Sequence, residues 1–314
     1  MPLHPLAAEA LERMRAGGWQ PRRTLTPQEA RLQAKRLKVP SLAEPLLAVV
    51  ERGIPGPADQ MRIRVYRPST GALPVLMFFH GGGWVLGDLD TSDNVCRRVA
   101  KEVDCLVVSV EYRLAPEHPF PAGLEDCYAA TCWVAGASDE LTSRPGPVAV
   151  SGISAGGNLA AAVSLKGRDE GGPDICHQLL VCPSVDVDFD RPSYIDNAEG
   201  YMLERGDMIW FWEQYVGCTD NVDPYAAPML AESLHDLPTC HLITSEFDPL
   251  RDEGAAYASR LQEADVCTTY RCCEGMLHGG VLASPIPAGR EAFEETCRLL
   301  RESFTSPSTN PRRS

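Results

Sequence analysis

The sequence is short of positive charge. Its 29 Lys and Arg residues stand against 43 Asp and Glu residues, and the formal net charge is −14. Because such a chain repels phosphate backbones and anionic lipid, we expect no nucleic-acid partner. No apolar run approaches the ~20 residues that span a bilayer, so we expect no membrane partner. The start of the chain has no basic segment followed by a continuous apolar stretch, which predicts a cytoplasmic location without a secretory signal.

Signals for disulfides and metals are also weak. The 12 cysteines include no CxxC pair, and they make up about 4% of the chain, below the density of a disulfide scaffold. Several of them, such as Cys105 and Cys182, stand in apolar runs, where a free thiol acts as a small hydrophobe. We therefore predict reduced thiols in a reducing compartment and no metal site. A chain of 314 residues can bury a large hydrophobic core and does not need disulfides or a metal ion for stability.

Strand-like and helical patterns alternate along the middle of the chain. Apolar runs or alternations typical of strands occupy residues 60–67, 74–79, 105–110, 148–150, 177–182, 241–244 and 268–272. Helical patterns lie at residues 94–103, 124–134, 155–165, 254–263 and 290–304. Because strands buried on both faces and separated by helices build parallel sheets, we predict an α/β fold with a mostly parallel central sheet flanked by helices.

Three segments fall outside this alternation. Residues 1–55 have an amphipathic pattern broken by prolines, and we interpret them as several short helices. Residues 186–227 show no strand pattern but an aromatic-rich helical stretch. We interpret that stretch as an insertion that packs with the N-terminal helices over one end of the sheet, although a surface helix of the main layer stays open. We predict a flexible tail over residues 306–314. The remaining residues, 56–185 and 228–305, form the predicted α/β core.

The strongest local motif is Gly152-Ile153-Ser154-Ala155-Gly156-Gly157, between a predicted strand and a predicted helix. A serine on so tight a turn needs small residues two positions before and after it, and both are glycine here. The turn exposes the hydroxyl at the carboxyl end of the sheet. It also sets the Ala155 amide at a helix N-terminus, where an oxyanion can be received.

A serine hydroxyl needs a base that is oriented by a third group. Of the seven histidines, His278 follows the last predicted strand in a glycine-containing loop. Asp248 likewise follows the strand over residues 241–244. The order Ser154, Asp248, His278 is the chain order of an α/β-hydrolase triad, with each member just past a strand end. We predict these three as the catalytic residues.

The segment His80-Gly81-Gly82-Gly83-Trp84 follows the strand over residues 74–79. Consecutive glycines let backbone amides approach a substrate closely, and fixed N–H donors stabilise the oxyanion formed by attack on an ester. No GxGxxG or GxxxxGK[ST] pattern is present here, so phosphate-binding loops are disfavoured.

Together these motifs resemble those of the hormone-sensitive-lipase-like esterases, bacterial family IV of the α/β-hydrolase superfamily. The resemblance rests on HGGGW, GDLDT after it, YRLAPEH from Tyr112, GISAGGN and DPLRD from Asp248, and it covers about residues 60–305. It implies an α/β-hydrolase fold with a helical cap from the N-terminal region and the insertion. It also implies a carboxylesterase that acts on small-molecule esters with short to medium acyl chains.

By position, the resemblance assigns Ser154, Asp248 and His278 to the triad and Gly82, Gly83 and Ala155 to the oxyanion hole. His80, Gly81 and Trp84 resemble the residues that support the glycine loop. A homodimer through an edge strand is typical of the family. The mechanism requires no metal or organic cofactor.

Two positions depart from the family's pattern. Ile153 stands where Asp or Thr is more common, so we expect a polar brace of a neighbouring loop to be lost. Gly280 stands where the family usually has Phe, which we expect to widen the site or loosen the histidine loop.

Other functions use the same residue types. An amidase, deacetylase, lactonase or acyltransferase shares the triad, and pocket shape decides between them. A non-catalytic receptor of this fold is disfavoured by the presence of His278, and an interfacial lipase by the acidic chain without a basic amphipathic helix. Four cap aromatics are candidates for the substrate pocket, and ordinary packing inside the cap stays open as the alternative for each of them: Trp210, Phe211, Trp212 and Tyr215.

Overall fold

The fold is built around one eight-stranded sheet. The structure is a computed structural model that describes residues 2–36 and 44–305. The strand order is β1-β2-β4-β3-β5-β6-β7-β8. The strands are β1 Ala48–Pro55, β2 Gln60–Arg67, β3 Val75–Phe79, β4 Leu106–Val110, β5 Val148–Ile153, β6 Ile175–Val181, β7 Thr239–Phe247 and β8 Thr268–Leu277. β2 runs antiparallel to both of its neighbours, and every other pair is parallel. The predicted mostly parallel sheet is therefore confirmed.

Helices cover both faces of the sheet. They are α1 Pro5–Ala16, α2 Pro27–Arg36, α3 Asp93–Val103, α4 Ala122–Gly136, α5 Ser138–Leu141, α6 Ala155–Glu170, α7 Pro192–Asp196, α8 Arg205–Val216, α9 Arg251–Glu263 and α10 Pro287–Thr305. The buried side chains of α4, α6 and α9 join one hydrophobic cluster, and those of α3 and α10 join a second on the opposite face. None of the helices in the described ranges is long and apolar enough to cross a membrane.

The prediction of helices throughout residues 1–55 is wrong for its last eight residues. β1 forms a ladder with β2 in which Val49 lies opposite Tyr66 and Ile54 opposite Met61. Only Ile54 of this strand is fully buried, because β1 lies at the sheet edge and most of its side chains face solvent. Such a strand has no strong apolar alternation for a sequence pattern to detect. The helices predicted across residues 37–43 and the tail over 306–314 lie outside the described residues.

Residues 186–227 contain α7 and α8 and no strand, as predicted. They contact the N-terminal region through several polar groups. The Arg23 amide donates to Asp207 Oδ1 at 3.1 Å, and the Arg23 guanidinium reaches Glu204 at 2.5 Å. The Arg15 guanidinium donates to the Gly200 carbonyl at 2.6 Å. Residues 186–227 thus pack against α1 and the segment that follows it in one layer.

Candidate active site

Ser154 lies between β5 and α6 with φ 60° and ψ −121°. This strained conformation is tolerated because the flanking residues are small. A Cβ on Gly152 would lie 2.1 Å from the Gly156 backbone, and one on Gly156 would lie 2.0 Å from the Phe79 carbonyl oxygen. Both glycines are therefore required by close backbone approach, which is the reason the sequence pattern predicted.

The loops after β7 and β8 bring Asp248 and His278 to this serine. His278 Nε2 lies 2.9 Å from Ser154 Oγ, and His278 Nδ1 lies 2.7 Å from Asp248 Oδ2. The second carboxylate oxygen of Asp248 accepts the Leu250 amide at 2.9 Å. Asp248 is fully buried, while Ser154 and His278 are each 8% exposed. The geometry is that of a hydroxyl, a base and an orienting acid in one hydrogen-bonded chain.

The environment of His278 favours its charged form. Burial lowers the pKa of His278, but the negative charge of Asp248 and the hydrogen bond to it raise that pKa by more. The pKa of His278 therefore lies above the ordinary histidine value. The raised pKa stabilises the imidazolium that would form when the serine proton is transferred.

The glycine loop lies beside Ser154. A Cβ on Gly81 would lie 3.5 Å from the Ser154 Cβ, and Gly82 and Gly83 have φ values of 126° and 59°. Ala155 is the first residue of α6, so its amide has no acceptor within the helix. The structure thus places the backbones of Gly82, Gly83 and Ala155, the predicted oxyanion donors, beside the hydroxyl of Ser154.

His80 lies inside this loop and is fully buried. Its Nδ1 donates to the Gly81 carbonyl at 2.9 Å, and its ring stacks on Tyr112 with centroids 4.2 Å apart. The Tyr112 hydroxyl donates to the His80 carbonyl at 2.8 Å. Burial lowers the pKa of His80, which keeps the ring neutral. These contacts are those of a residue that supports the loop.

Most of the aromatic residues predicted for the substrate pocket have a different place. Trp212 and Tyr215 are buried against Trp84, with ring centroids 4.7 Å and 4.2 Å from it. Trp210 contacts Phe211 with centroids 5.1 Å apart and does not line the cavity described next. The prediction is therefore wrong for Trp210, Trp212 and Tyr215. Helical periodicity turns one face of α8 toward Trp84, and only Phe211 reaches the cavity.

A cavity of about 720 Å³ opens at Ser154 and His278. Its walls come from the glycine loop, α1, the segment before α8, Phe211 and the loops around β8. The sequence analysis did not name several of the residues that line it: Leu6, Ala10, Arg22, Met202, Leu203, Met276 and Ile286. The amphipathic pattern of α1 indicated that one face of this helix is buried, but it did not show which of its residues line the cavity. The walls are mainly apolar, which suits the hydrocarbon part of an ester.

Comparisons with known proteins agree with this site. A sequence profile of the alpha/beta hydrolase fold family matches residues 76–282. Carboxylic ester hydrolase LipN of Mycobacterium tuberculosis is 46% identical over 239 residues, which are 74% of this chain and 64% of LipN. Esterase LipI of the same organism is 44% identical over 264 residues and 82% of each chain. The structure of a hyperthermophilic esterase from Pyrobaculum calidifontis matches with a TM-score of 0.91 at 38% identity, covering 98% of this chain and 100% of that chain.

The chain belongs to the α/β-hydrolase family. Within it, the chain is a hormone-sensitive-lipase-like esterase. This confirms the resemblance on which the sequence analysis relied.

At the two positions that depart from the family's pattern, the structure places Ile153 and Gly280 in the lining of the cavity. A Cβ added to Gly279, in the loop that carries His278, would lie 3.6 Å from Ile153 Cγ2, so the Ile153 side chain lies near this loop. At Gly280 an added Cβ would meet only the Leu277 carbonyl oxygen, at 3.9 Å. Gly280 lines the cavity, so the space that a phenylalanine would fill there is part of the substrate site.

The sequence analysis named Cys182 only as a thiol in an apolar run and missed its position beside the triad, where it follows β6 with φ 45°. Its thiol is fully buried and lies 3.5 Å from Ser245 Oγ. Within the described residues, Cys182, Asp248 and His278 have ligand atoms within 4.8 Å of one another, the separation of a metal-binding group. The acid and the histidine already bond to each other, however, and burial raises the pKa of the thiol. The arrangement therefore favours a neutral thiol packed beneath the histidine.

Proposed function

We propose that this carboxylic ester hydrolase uses Ser154 as its nucleophile, His278 as general base and Asp248 as the group that orients the base. The observation that carries the proposal is the continuous chain of hydrogen bonds from Ser154 Oγ through His278 to Asp248, at 2.9 Å and 2.7 Å. As the hydroxyl attacks the ester carbonyl, Nε2 takes its proton. Buried Asp248 then stabilises the imidazolium without taking the proton itself.

The oxyanion of the tetrahedral intermediate would be received by the amides of Gly82, Gly83 and Ala155. The positive end of the α6 dipole adds to the stabilisation at Ala155. Donors fixed before the reaction favour the developing charge over the neutral carbonyl, and removing one such donor typically costs about 10²- to 10³-fold in kcat. Tyr112 and His80 hold the glycine loop that presents two of these amides.

Collapse of the intermediate expels the alcohol, which takes the proton from His278 and leaves an acyl-serine. Water then attacks that acyl group, with His278 again as base, and releases the acid. These steps use only residues of this chain. The substrate class is esters with short to medium acyl chains, because the cavity at Ser154 has a limited volume of about 720 Å³ and walls that are mainly apolar.

The test is hydrolysis of p-nitrophenyl esters from acetate to palmitate by the wild type and by Ser154→Ala. The substitution should lower kcat by about 10⁴- to 10⁶-fold while the circular dichroism spectrum stays unchanged. Ser151→Ala is the matched control, because Ser151 lies on β5 with its hydroxyl bonded to the Met77 carbonyl, away from the cavity. Full activity of a folded Ser154→Ala protein would contradict the proposal.

We also propose that the esterase works in the cytoplasm. All 12 cysteines lie in the described ranges, none of them forms a disulfide, and several are exposed. Free exposed thiols persist in a reducing compartment. Fractionation of the source cells should recover the protein with cytosolic markers, and recovery with secreted proteins would contradict this location.

A further inference from the structure

Arg22 lines the cavity that opens at the nucleophile, although the walls around it are mainly apolar. It lies in the short 3₁₀ turn Arg22–Thr24, between α1 and α2. The side chain is half-buried, and its burial lowers the pKa of the guanidinium. An arginine stays protonated in proteins nonetheless, so the lining of the substrate site includes a cationic residue.

No carboxylate of the described residues lies within ion-pair distance of this cation. Arg22 donates one hydrogen bond, to the Gln20 carbonyl at 3.2 Å, and lies 5.9 Å from the Trp19 ring centroid. The neighbouring Arg23 instead forms ion pairs with the nearby acids, which are Glu204 at 2.5 Å, Asp207 at 3.6 Å and Glu199 at 3.9 Å. Asp207 acts on Arg22 only through longer-range attraction.

Two other charged side chains line the cavity, and they neutralise each other. Glu9 and Arg13 lie one turn apart on α1 and form an exposed ion pair at 3.7 Å. Their charges sum to zero and are screened by solvent. The uncompensated charge of the lining outside the catalytic residues is therefore that of Arg22. A planar guanidinium with unused donors is well matched to a carboxylate.

We propose that Arg22 binds a carboxylate of the substrate, so that the preferred substrates are esters that carry a second, anionic carboxyl group. Half-esters of dicarboxylic acids bear that group on the acyl side, and acetylated hydroxy acids bear it on the alcohol side. The proposal rests on the proposed function, because it concerns the same cavity and the same nucleophile.

The test compares kcat/KM for two matched pairs of substrates by proton release. Monomethyl adipate against methyl hexanoate probes the acyl side, and 3-acetoxybenzoate against phenyl acetate probes the alcohol side. In at least one pair the wild type should prefer the anionic member, and Arg22→Gln should lower the anionic-to-neutral ratio by about 10- to 100-fold. Arg22→Lys should keep part of the preference because it keeps the charge.

The double variant Glu9→Gln/Arg13→Gln is the matched control. It removes both members of the exposed ion pair from the cavity lining and keeps the net charge there unchanged, so the ratio should change by less than about threefold. A ratio that stays unchanged in Arg22→Gln, or a wild type that prefers the neutral ester in both pairs, would overturn the proposal.

A second measurement needs no variant. Adipate should inhibit wild-type hydrolysis of p-nitrophenyl butyrate competitively and more strongly than hexanoate does, and equal inhibition by the two acids would count against Arg22. The neutral substrate also separates the two proposals. If p-nitrophenyl butyrate is not hydrolysed at all, the proposed function fails. If it is hydrolysed with Ser154 but no Arg22-dependent preference exists, only the carboxylate site fails.

Discussion

His278 shows how two opposing effects are balanced at one residue. Burial alone would lower the pKa of its imidazole, and the adjacent Asp248 carboxylate more than reverses that effect. A base must be neutral to accept the serine proton. The raised pKa therefore leaves a smaller fraction of neutral His278 near neutral pH, but it stabilises the imidazolium in the transition state.

The first prediction concerns the pH dependence of kcat/KM. Since the pKa of His278 is raised, the neutral form appears only as pH rises, and the acidic limb should have its inflection above the ordinary value of about 6.5. Asp248→Asn removes the charge that raises this pKa and leaves the burial that lowers it. The inflection should then move to lower pH, with a fall in kcat of about 10⁴-fold.

Asp252→Asn is the control for this shift. Asp252 lies four residues further along, where it accepts the Ser193 amide at 2.7 Å and pairs with Arg251 at 2.8 Å. The raised pKa of His278 comes from Asp248 and Cys182, and Asp252 bonds to neither the histidine nor the serine, so the inflection should stay in place. A profile of Asp248→Asn that coincides with the wild type would show that another group orients the base.

At the scale of single elements, the loop after β8 both carries the base and shapes the cavity. Gly280 lies two residues after His278 with φ −81°, a conformation that any residue can adopt. An added Cβ there would meet only the Leu277 carbonyl oxygen, at 3.9 Å, so the backbone at this position of the cavity wall accommodates a side chain.

We therefore predict that Gly280→Phe shortens the preferred acyl chain. The ring would occupy cavity volume, and the ratio of kcat/KM for p-nitrophenyl octanoate to that for the acetate should fall about tenfold or more. Gly136→Phe, at the exposed end of α4 with no atom near an added Cβ, should leave the ratio unchanged. An unchanged ratio in Gly280→Phe would mean that acyl chains do not pass this loop.

Elements of this fold differ in how well their sequence predicts them. Ser154 and Asp248 were predictable because each follows an apolar strand, and His278 because it lies in a glycine-containing loop after the last predicted strand. Parallel strands end at one edge of the sheet, which brings the three together. β1 was not, because an edge strand with one buried side chain, Ile54, shows no clear alternation. The side of α8 that faces the cavity was also hidden, since it depends on Trp84, which packs there from a distant loop.

At the scale of the whole molecule, one arginine ties the N-terminal layer to the core. Arg31 of α2 donates to the carbonyls of Val85 and Ala115, each at 2.9 Å, and pairs with Glu117 at 2.6 Å. Val85 follows the glycine loop by two residues. The Arg31 side chain thus links α2 to the segment that follows the glycine loop.

Arg31→Ala should lower the free energy of unfolding by about 1–3 kcal/mol, because the carbonyls of two buried residues, Val85 and Ala115, lose a charged donor. Urea denaturation followed by circular dichroism measures the change as a lower midpoint. Arg298→Ala is the control, since Arg298 pairs with Glu302 on the exposed face of α10 with both side chains 55% exposed. Its effect should stay below about 0.5 kcal/mol, and equal midpoints for the two variants would contradict the anchoring role of Arg31.

The central claim is that Ser154 is an activated nucleophile, and labelling with a fluorophosphonate tests it most directly. The probe reacts with a serine whose hydroxyl is deprotonated by a neighbouring base. We predict a single adduct per chain by intact mass, mapped to the Ser154 peptide, with loss of esterase activity in proportion to labelling and no adduct in Ser154→Ala. An adduct on another residue, or full activity after Ser154 is labelled, would contradict the account.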